Sequence, residues 1–230
     1  MKQVISQKLE GIYLGISTTE KETGIAFVKE NKILHELIVE TEAQHNETLF
    51  TFLDNSFETL NLTPHQLSGI GVVIGPGMFT SIRVGIAYAK GLAIADNIPI
   101  KGFNTLDALV FSLPDLILSQ KSTIIPVIDV RHNEVFYRIY QGLKPLSEPQ
   151  IVSSEQFAEK ILENAVIFGS GINRHLDVVK KLTKVNFTTC NLIVPNPSQV
   201  AFHTAECIKN NDFSDIETLV PFYVRRFTIG

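Results

Sequence analysis

The stretch Gly75-Pro76-Gly77-Met78-Phe79-Thr80-Ser81-Ile82-Arg83-Val84-Gly85-Ile86-Ala87-Tyr88-Ala89-Lys90-Gly91 decides how the rest of the chain is read. Before it runs Ile70-Gly71-Val72-Val73-Ile74, apolar and too short for a helix, which reads as a buried strand. Gly75-Pro76-Gly77 turns the chain, because proline fixes φ and the glycines are free to take positive φ. A helix follows, capped by Thr80 or Ser81 and limited by Pro99. Along it Gly85, Ala89 and Ala93 fall four apart and form a stripe with almost no side chain. Glycine inside a helix costs about 1 kcal/mol relative to alanine, so the stripe needs a compensating contact. Close approach of a second backbone supplies one, from a neighbouring helix or from a partner chain.

Towards the N-terminus, residues 1–10 read as an extension, and Gly11–Ser17, Gly24–Lys29 and Ile33–Glu40 as strands, with Glu30-Asn31-Lys32 turning the last pair. Thr41-Glu42-Ala43-Gln44 fits a capping box. In the helix it opens, Leu49, Phe50, Leu53, Phe57 and Leu60 share one face, which packs on the chain's own sheet or, over part of its width, against a partner. Downstream come a strand at Ile100–Phe103 and a helical segment from Asn104, completing βββαβαβα.

The second half repeats the theme. Strands are expected at Thr123–Asp129 and Glu134–Gln141 around Val130-Arg131-His132-Asn133, and near Ile151. A helix at Ser154–Glu163, a strand at Ala165–Phe168, a helix near Asn173–Leu182, a strand near Thr188–Val194 and a helix at Ser198–Lys209 follow. The expected class is therefore α/β: a duplicated fold of two βββαβα-type subdomains with mixed sheets and helices on both faces. Residues 11–112 are assigned to the first subdomain and 113–230 to the second, with a boundary near Leu113-Pro114-Asp115 and a last segment able to pack back on the first.

The 230 residues are 44% hydrophobic and 19% charged, enough for a sizeable core, and the net charge of −4 gives no general attraction to nucleic acid. Cys190 and Cys207 are too few for a disulfide framework or a cysteine-rich zinc site. Residues 1–10 hold no apolar signal core, and Val84–Ile98 is interrupted by Lys90, Asp96 and Asn97, so a soluble, cytoplasmic protein without a membrane segment is expected.

Gly75, Pro76 and Gly77, with Thr80 and Arg83 beyond, make either a tight structural turn or an anion contact at a helix N-terminus. No Gly-Lys-Ser/Thr follows, so the turn is not a P-loop. ATP-binding duplicated folds of this kind need an acid at the end of the first strand, where this chain has Gly15-Ile16-Ser17-Thr18-Thr19. No histidine pair has metal-ligand spacing, and no nucleophile elbow is present. Asp129, Arg131 and Glu134 form a dense polar turn whose carboxylates either bond Arg131 locally or meet a partner. The residues describe a scaffold without catalytic, metal or cofactor apparatus of its own.

Gly75 to Ala93 is similar to G-P-G-S-F-T-G-L-R-I-G-x-x-x-A-K-G-L-A, the signature of the TsaB family of bacterial tRNA threonylcarbamoyladenosine biosynthesis proteins. Asn97-Ile98-Pro99, Asn104 to Leu109, Asp129-x-Arg131-x-x-Glu134-Val135-x-Tyr137, Pro221-x-Tyr223-x-Arg225 and His45-x-Glu47 match further positions, so the resemblance runs from about residue 11 to the end. It implies a duplicated actin-like (ASKHA, ribonuclease H-like) fold. It also implies a non-catalytic subunit that pairs with the catalytic paralogue TsaD, joined by the ATPase TsaE. Together these transfer threonylcarbamoyl from threonylcarbamoyl-AMP to the adenosine 3′ of the anticodon in tRNAs reading A-starting codons. Where that paralogue has its metal-binding His-x-x-x-His pair, this chain has Thr105 and Leu109. The heterodimer face, or a homodimer face when the chain is alone, is expected on the two N-domain helices: His45, Leu49, Phe50, Leu53, Phe57, Ile82, Gly85, Ile86, Ala89 and Ala93. A nucleotide at that interface stays open. Ser17 departs from the family's usual Asp, Met78 and Ser81 from its Ser and Gly, and Gln44 from a common Arg. The alternatives are an actin-like ATPase or kinase, or a metal-dependent glycopeptidase-type hydrolase.

Overall fold

The computed structural model describes residues 11–41, 45–118 and 122–224. The extension at 1–10, most of the capping box at 42–44 and Arg225 lie outside the described residues. Two compact units are present. The first holds the described residues up to Ile74, Met78–Phe103 and Pro197–Pro221; the second holds Gly75–Gly77, Asn104–Asn196 and the described residues after Pro221. The main crossing thus falls at Phe103/Asn104, ahead of the boundary read near Leu113, and the last helix with the segment through Pro221 belongs with the first unit.

In the first unit, β1 (Ile12–Ser17), β2 (Glu22–Lys29) and β3 (Lys32–Glu40) form an antiparallel meander, followed by α1 (His45–Leu60), β4 (Leu67–Gly75), α2 (Phe79–Asp96) and β5 (Ile100–Asn104). The sheet order is β3-β2-β1-β4-β5, with β4 parallel to β1. Apolar side chains fill both faces of the central strands. Leu14 and Ile16 join Leu49, Leu53, Ile82, Ile86 and Ala89 in one core cluster. Tyr13 and Val28 join Ala201 and Ala205 of the last helix, Pro197–Lys209, in another. A Cβ at Gly15 would lie 2.1 Å from the Pro197 carbonyl oxygen, so only glycine lets that helix start so close to the sheet.

The second unit follows the same plan. After α3 (Thr105–Phe111) and α4 (Asp115–Leu118) come β6 (Thr123–Asp129), β7 (Glu134–Tyr137), β8 (Tyr140–Gln141), β9 (Lys144–Pro145), β10 (Gln150–Ser153), α5 (Ser154–Lys160), β11 (Ala165–Phe168), α6 (Ser170–Leu182), β12 (Phe187–Cys190) and α7 (Pro197–Lys209), the last returning to the first unit. Its sheet order, β10-β7-β6-β11-β12, reproduces β3-β2-β1-β4-β5 position for position, with β8 and β9 as an added hairpin. This is the duplicated actin-like fold. The single strand expected over Glu134–Gln141 is instead broken, because Arg138 Nε donates to the Ser147 carbonyl (2.7 Å) and the Ile139 N–H to the Ser147 hydroxyl (3.1 Å).

Burial of His203 on α7 lowers its imidazole below the ordinary value, while Glu206 pulls the other way. A base held low in the folded state binds fewer protons than in the unfolded chain, so stability falls as pH drops through the unfolded histidine value near 6.5. His203→Gln should flatten the loss of urea stability between pH 7.5 and pH 5; a pH slope identical to wild type would assign that loss to other groups.

Candidate functional site

Helix α2 has two faces, and the structure assigns them differently from the expectation. Ile82, Gly85, Ile86, Ala89 and Ala93 are all buried against the chain's own sheet and α1. The close approach that explains Gly85 comes from Thr18, whose Oγ1 would lie 2.4 Å from a Cβ there and which donates to the Ser81 carbonyl (2.8 Å). On α1, Leu49 and Leu53 are in the same core, and Phe57 meets the Phe27 ring edge-on at 5.1 Å. The small-residue stripe is therefore an internal seam, and a partner approaching α2 meets the opposite side. Of the expected interface residues with described side chains, Phe50 alone is largely exposed, at 56%. His45 opens α1, and its side chain lies outside the described set.

The outer side of α2 presents Phe79, Thr80, Arg83, Ala87, Gly91, Ile94 and Ala95. Ala87, Gly91 and Ala95 repeat the four-residue spacing of small side chains, and a Cβ on Gly91 would have nothing within 4 Å. Phe79, Thr80, Arg83, Val84, Ala87 and Tyr88 line an open, mostly apolar hollow of ≈ 300 Å³. Phe50 lies beside Tyr88 with ring centroids 6.3 Å apart, and Ile94 is 62% exposed. Exposed aromatic and aliphatic side chains around a strip of small ones suit a packed helix from another chain.

Thr80 and Ser81 do not cap α2. The helix starts at Phe79 with Met78 as its cap residue and no side-chain bond, and the Met78 N–H donates to the Thr19 carbonyl (2.7 Å). Of the two turn glycines only Gly75 uses positive φ (114°). Pro76 belongs to the second unit, where its carbonyl accepts from the Thr105 hydroxyl at 2.7 Å. The Arg83 guanidinium lies over the Phe79 ring at 3.8 Å, a cation–π contact. Ser17 is 1% exposed, and its hydroxyl has no hydrogen-bond partner among the described residues. A carboxylate in its place would be a buried charge without a counter-charge.

The polar turn after β6 is drawn tight by Arg131, His132 and Asn133, all with φ between 53° and 66°. Asp129 accepts from the Arg131 backbone N–H (3.3 Å), not from its guanidinium. Its carboxylate meets Arg174 Nη1 at 2.9 Å and His175 Nε2 at 3.3 Å, both on α6. The Asp129 N–H also donates to the Ser170 hydroxyl (3.3 Å). The Glu134 N–H donates to the Arg131 carbonyl at 3.0 Å, and its carbonyl accepts from the Val130 N–H at 3.2 Å. Sequence reasoning missed Arg174 and His175, because they stand 45 and 46 residues from Asp129 and carry no local motif.

Thr105 and Leu109 sit on α3 and are both buried, the threonine bonded to Pro76 and the leucine in the core beside Leu106, Ile128 and Phe168. Beside them Asp107 accepts from the Tyr140 hydroxyl at 2.7 Å, and burial together with that carboxylate holds the phenol far above its ordinary value. Among the described residues no group of three or more His, Cys, Asp or Glu side chains is placed to hold a metal ion, and no helix is long and apolar enough to cross a membrane.

This duplicated α/β chain belongs to the TsaD family, whose model, described as tRNA N6-adenosine threonylcarbamoyltransferase, matches residues 36–196. Over nearly its whole length it is similar to the tRNA threonylcarbamoyladenosine biosynthesis protein TsaB of Bacillus subtilis (strain 168), 27% identical over 92% of this chain and 93% of that protein. The protein of the same name from Haemophilus influenzae is 25% identical over 95% of this chain and 94% of its own length. The solved structure of YeaZ from Pseudomonas aeruginosa shares the fold, with a TM-score of 0.78 over 93% of this chain and all of that one at 18% identity.

Proposed function

We propose that the chain is the accessory, non-catalytic subunit of the machinery that makes threonylcarbamoyladenosine in tRNA, working in the cytoplasm beside a TsaD-like catalytic subunit. The observation that carries this reading is the state of Thr105 and Leu109. At the two positions where the resemblance puts the catalytic paralogue's metal-binding histidines, one side chain is bonded to Pro76 and the other is buried in the core. Ser17, enclosed at the end of β1 where an acid would handle a metal–phosphate unit, supports the same reading. Both features disfavour the ATPase, kinase and metal-dependent hydrolase alternatives.

The partner face in this reading is the outer side of α2 with Phe50 of α1. The TsaE-like ATPase and tRNA join through the assembled complex, and the chain brings no cofactor of its own; any nucleotide would sit at the partner interface. Purified chain alone should transfer no threonylcarbamoyl from threonylcarbamoyl-AMP to tRNA. Adding the chain to the TsaD-like and TsaE-like proteins of the same organism should raise their tRNA modification by at least tenfold. Transfer by the chain alone, or no gain on adding it, would overturn the reading.

A further inference from the structure

The starts of β11 and β12 lie side by side at one end of the second unit, because the two strands run parallel with Ala165 opposite Phe187. The chain entering each strand is held there. The Asn164 N–H donates to the Asn186 carbonyl (2.8 Å), and the Asn186 side-chain amide donates to the Glu163 carboxylate (3.0 Å). Helices α5 and α6 feed those two segments, so both end in the same region. Lys160 is in the last turn of α5, Lys180 and Lys181 are in the last turn of α6, and Lys184 follows two residues beyond Leu182. All four are exposed, and none has an ion-pair partner among the described residues.

A lysine in a last turn complements the helix dipole. That does not account for Lys184, past the end of α6, or for gathering four ammonium groups at one end of a unit. Residues 160–184 carry these four and Arg174 against two acids, Glu163 and Asp177, in a chain whose net charge is −4. Arg174 is already paired with Asp129, and Glu163 is bonded to Asn186, while Glu159 is a further exposed acid on α5. The unbalanced positive charge therefore sits on the lysines. Four long, mobile cations spread over two helix ends suit an extended polyanion, which meets each ammonium with its own phosphate.

We propose that this end of the second unit contacts the phosphate backbone of tRNA through Lys160, Lys180, Lys181 and Lys184. The proposal rests on the function proposed above, which supplies the RNA. Lysine acts on phosphate as a point charge, so the contact positions the tRNA without reading its bases. It involves neither α2 nor Phe50, and its loss leaves pairing with the TsaD-like subunit intact.

The test is salt-dependent binding of unmodified tRNA to the assembled complex with the TsaD-like and TsaE-like proteins. Wild type is compared with a triple variant, Lys180→Ala, Lys181→Ala and Lys184→Ala, and with the same three positions changed to Arg. The alanine variant should bind tRNA about tenfold more weakly, and the slope of log affinity against log salt should fall by about two. The KM for tRNA should rise by a similar factor with kcat unchanged, because these side chains do not touch the reacting atoms. The arginine variant should stay within about twofold of wild type, since it keeps the charge. Leu162 (46%) and Leu182 (43%) are exposed among the lysines, so phosphatidylserine vesicles are the second probe. An alanine variant with wild-type tRNA affinity and salt slope overturns the proposal, as does tighter binding of the chain to vesicles than to tRNA. A wild-type complex that binds tRNA through these lysines but leaves it unmodified sinks the proposed function instead.

Discussion

Gly91→Arg is expected to abolish stable association with the TsaD-like subunit while leaving the fold intact. Gly91 is exposed near the C-terminal end of the outer stripe of α2, with open space where a Cβ would go. An arginine fits there in the isolated chain, and replacing a mid-helix glycine favours the helix by roughly 0.5–1 kcal/mol, so the melting temperature should hold or rise slightly. In a helix–helix contact built over small residues the same side chain holds the helices apart and forces its charge out of water. Central interface positions lose about 2 kcal/mol or more, so the complex should weaken about 30-fold or more, or disappear from co-purification. Stability and affinity thus move in opposite directions. Unchanged affinity with an intact fold would exclude this face as the docking surface.

Ala89→Arg, two residues back on the same helix, should fail in the opposite way. Ala89 has no exposure and packs in the core with Leu14, Ile16 and Ile82. Placing an unpaired guanidinium there costs about 4 kcal/mol or more, a large share of the roughly 5–15 kcal/mol that holds a typical domain together. The variant should be insoluble or should unfold at much lower urea concentration than wild type, with partner binding lost only because the fold is lost. A normally melting Ala89→Arg chain that fails to bind the partner would reverse the assignment of the two faces.

The pair of variants shows where sequence reading stopped. Strand and helix positions were legible because periodicity and turn residues are local properties: β6 and β11 fall where the pattern put them, and α2 begins within two residues of its expected start. The orientation of α2 was not legible. Small residues line it on both sides, Gly85, Ala89 and Ala93 inside and Ala87, Gly91 and Ala95 outside, so no amphipathic contrast marks the buried face.

The Asp129 cluster was half legible for a related reason. Its own turn was visible in sequence, but Arg174 and His175 reach it only because the parallel pairing of β11 with β6 carries the start of α6 to the end of β6. The repeat itself was legible as an order of elements, and the matching sheet orders became visible only once the strands were paired.

By itself the sequence determined the class of fold, the duplication and the family resemblance, since each rests on residue patterns a few positions long. Tertiary structure alone decided that Thr18 fills the space beside Gly85 and that Phe50 and Gly91 face outward. Those outcomes depend on which surfaces meet after the chain has closed on itself, and burial is a property of the packed whole.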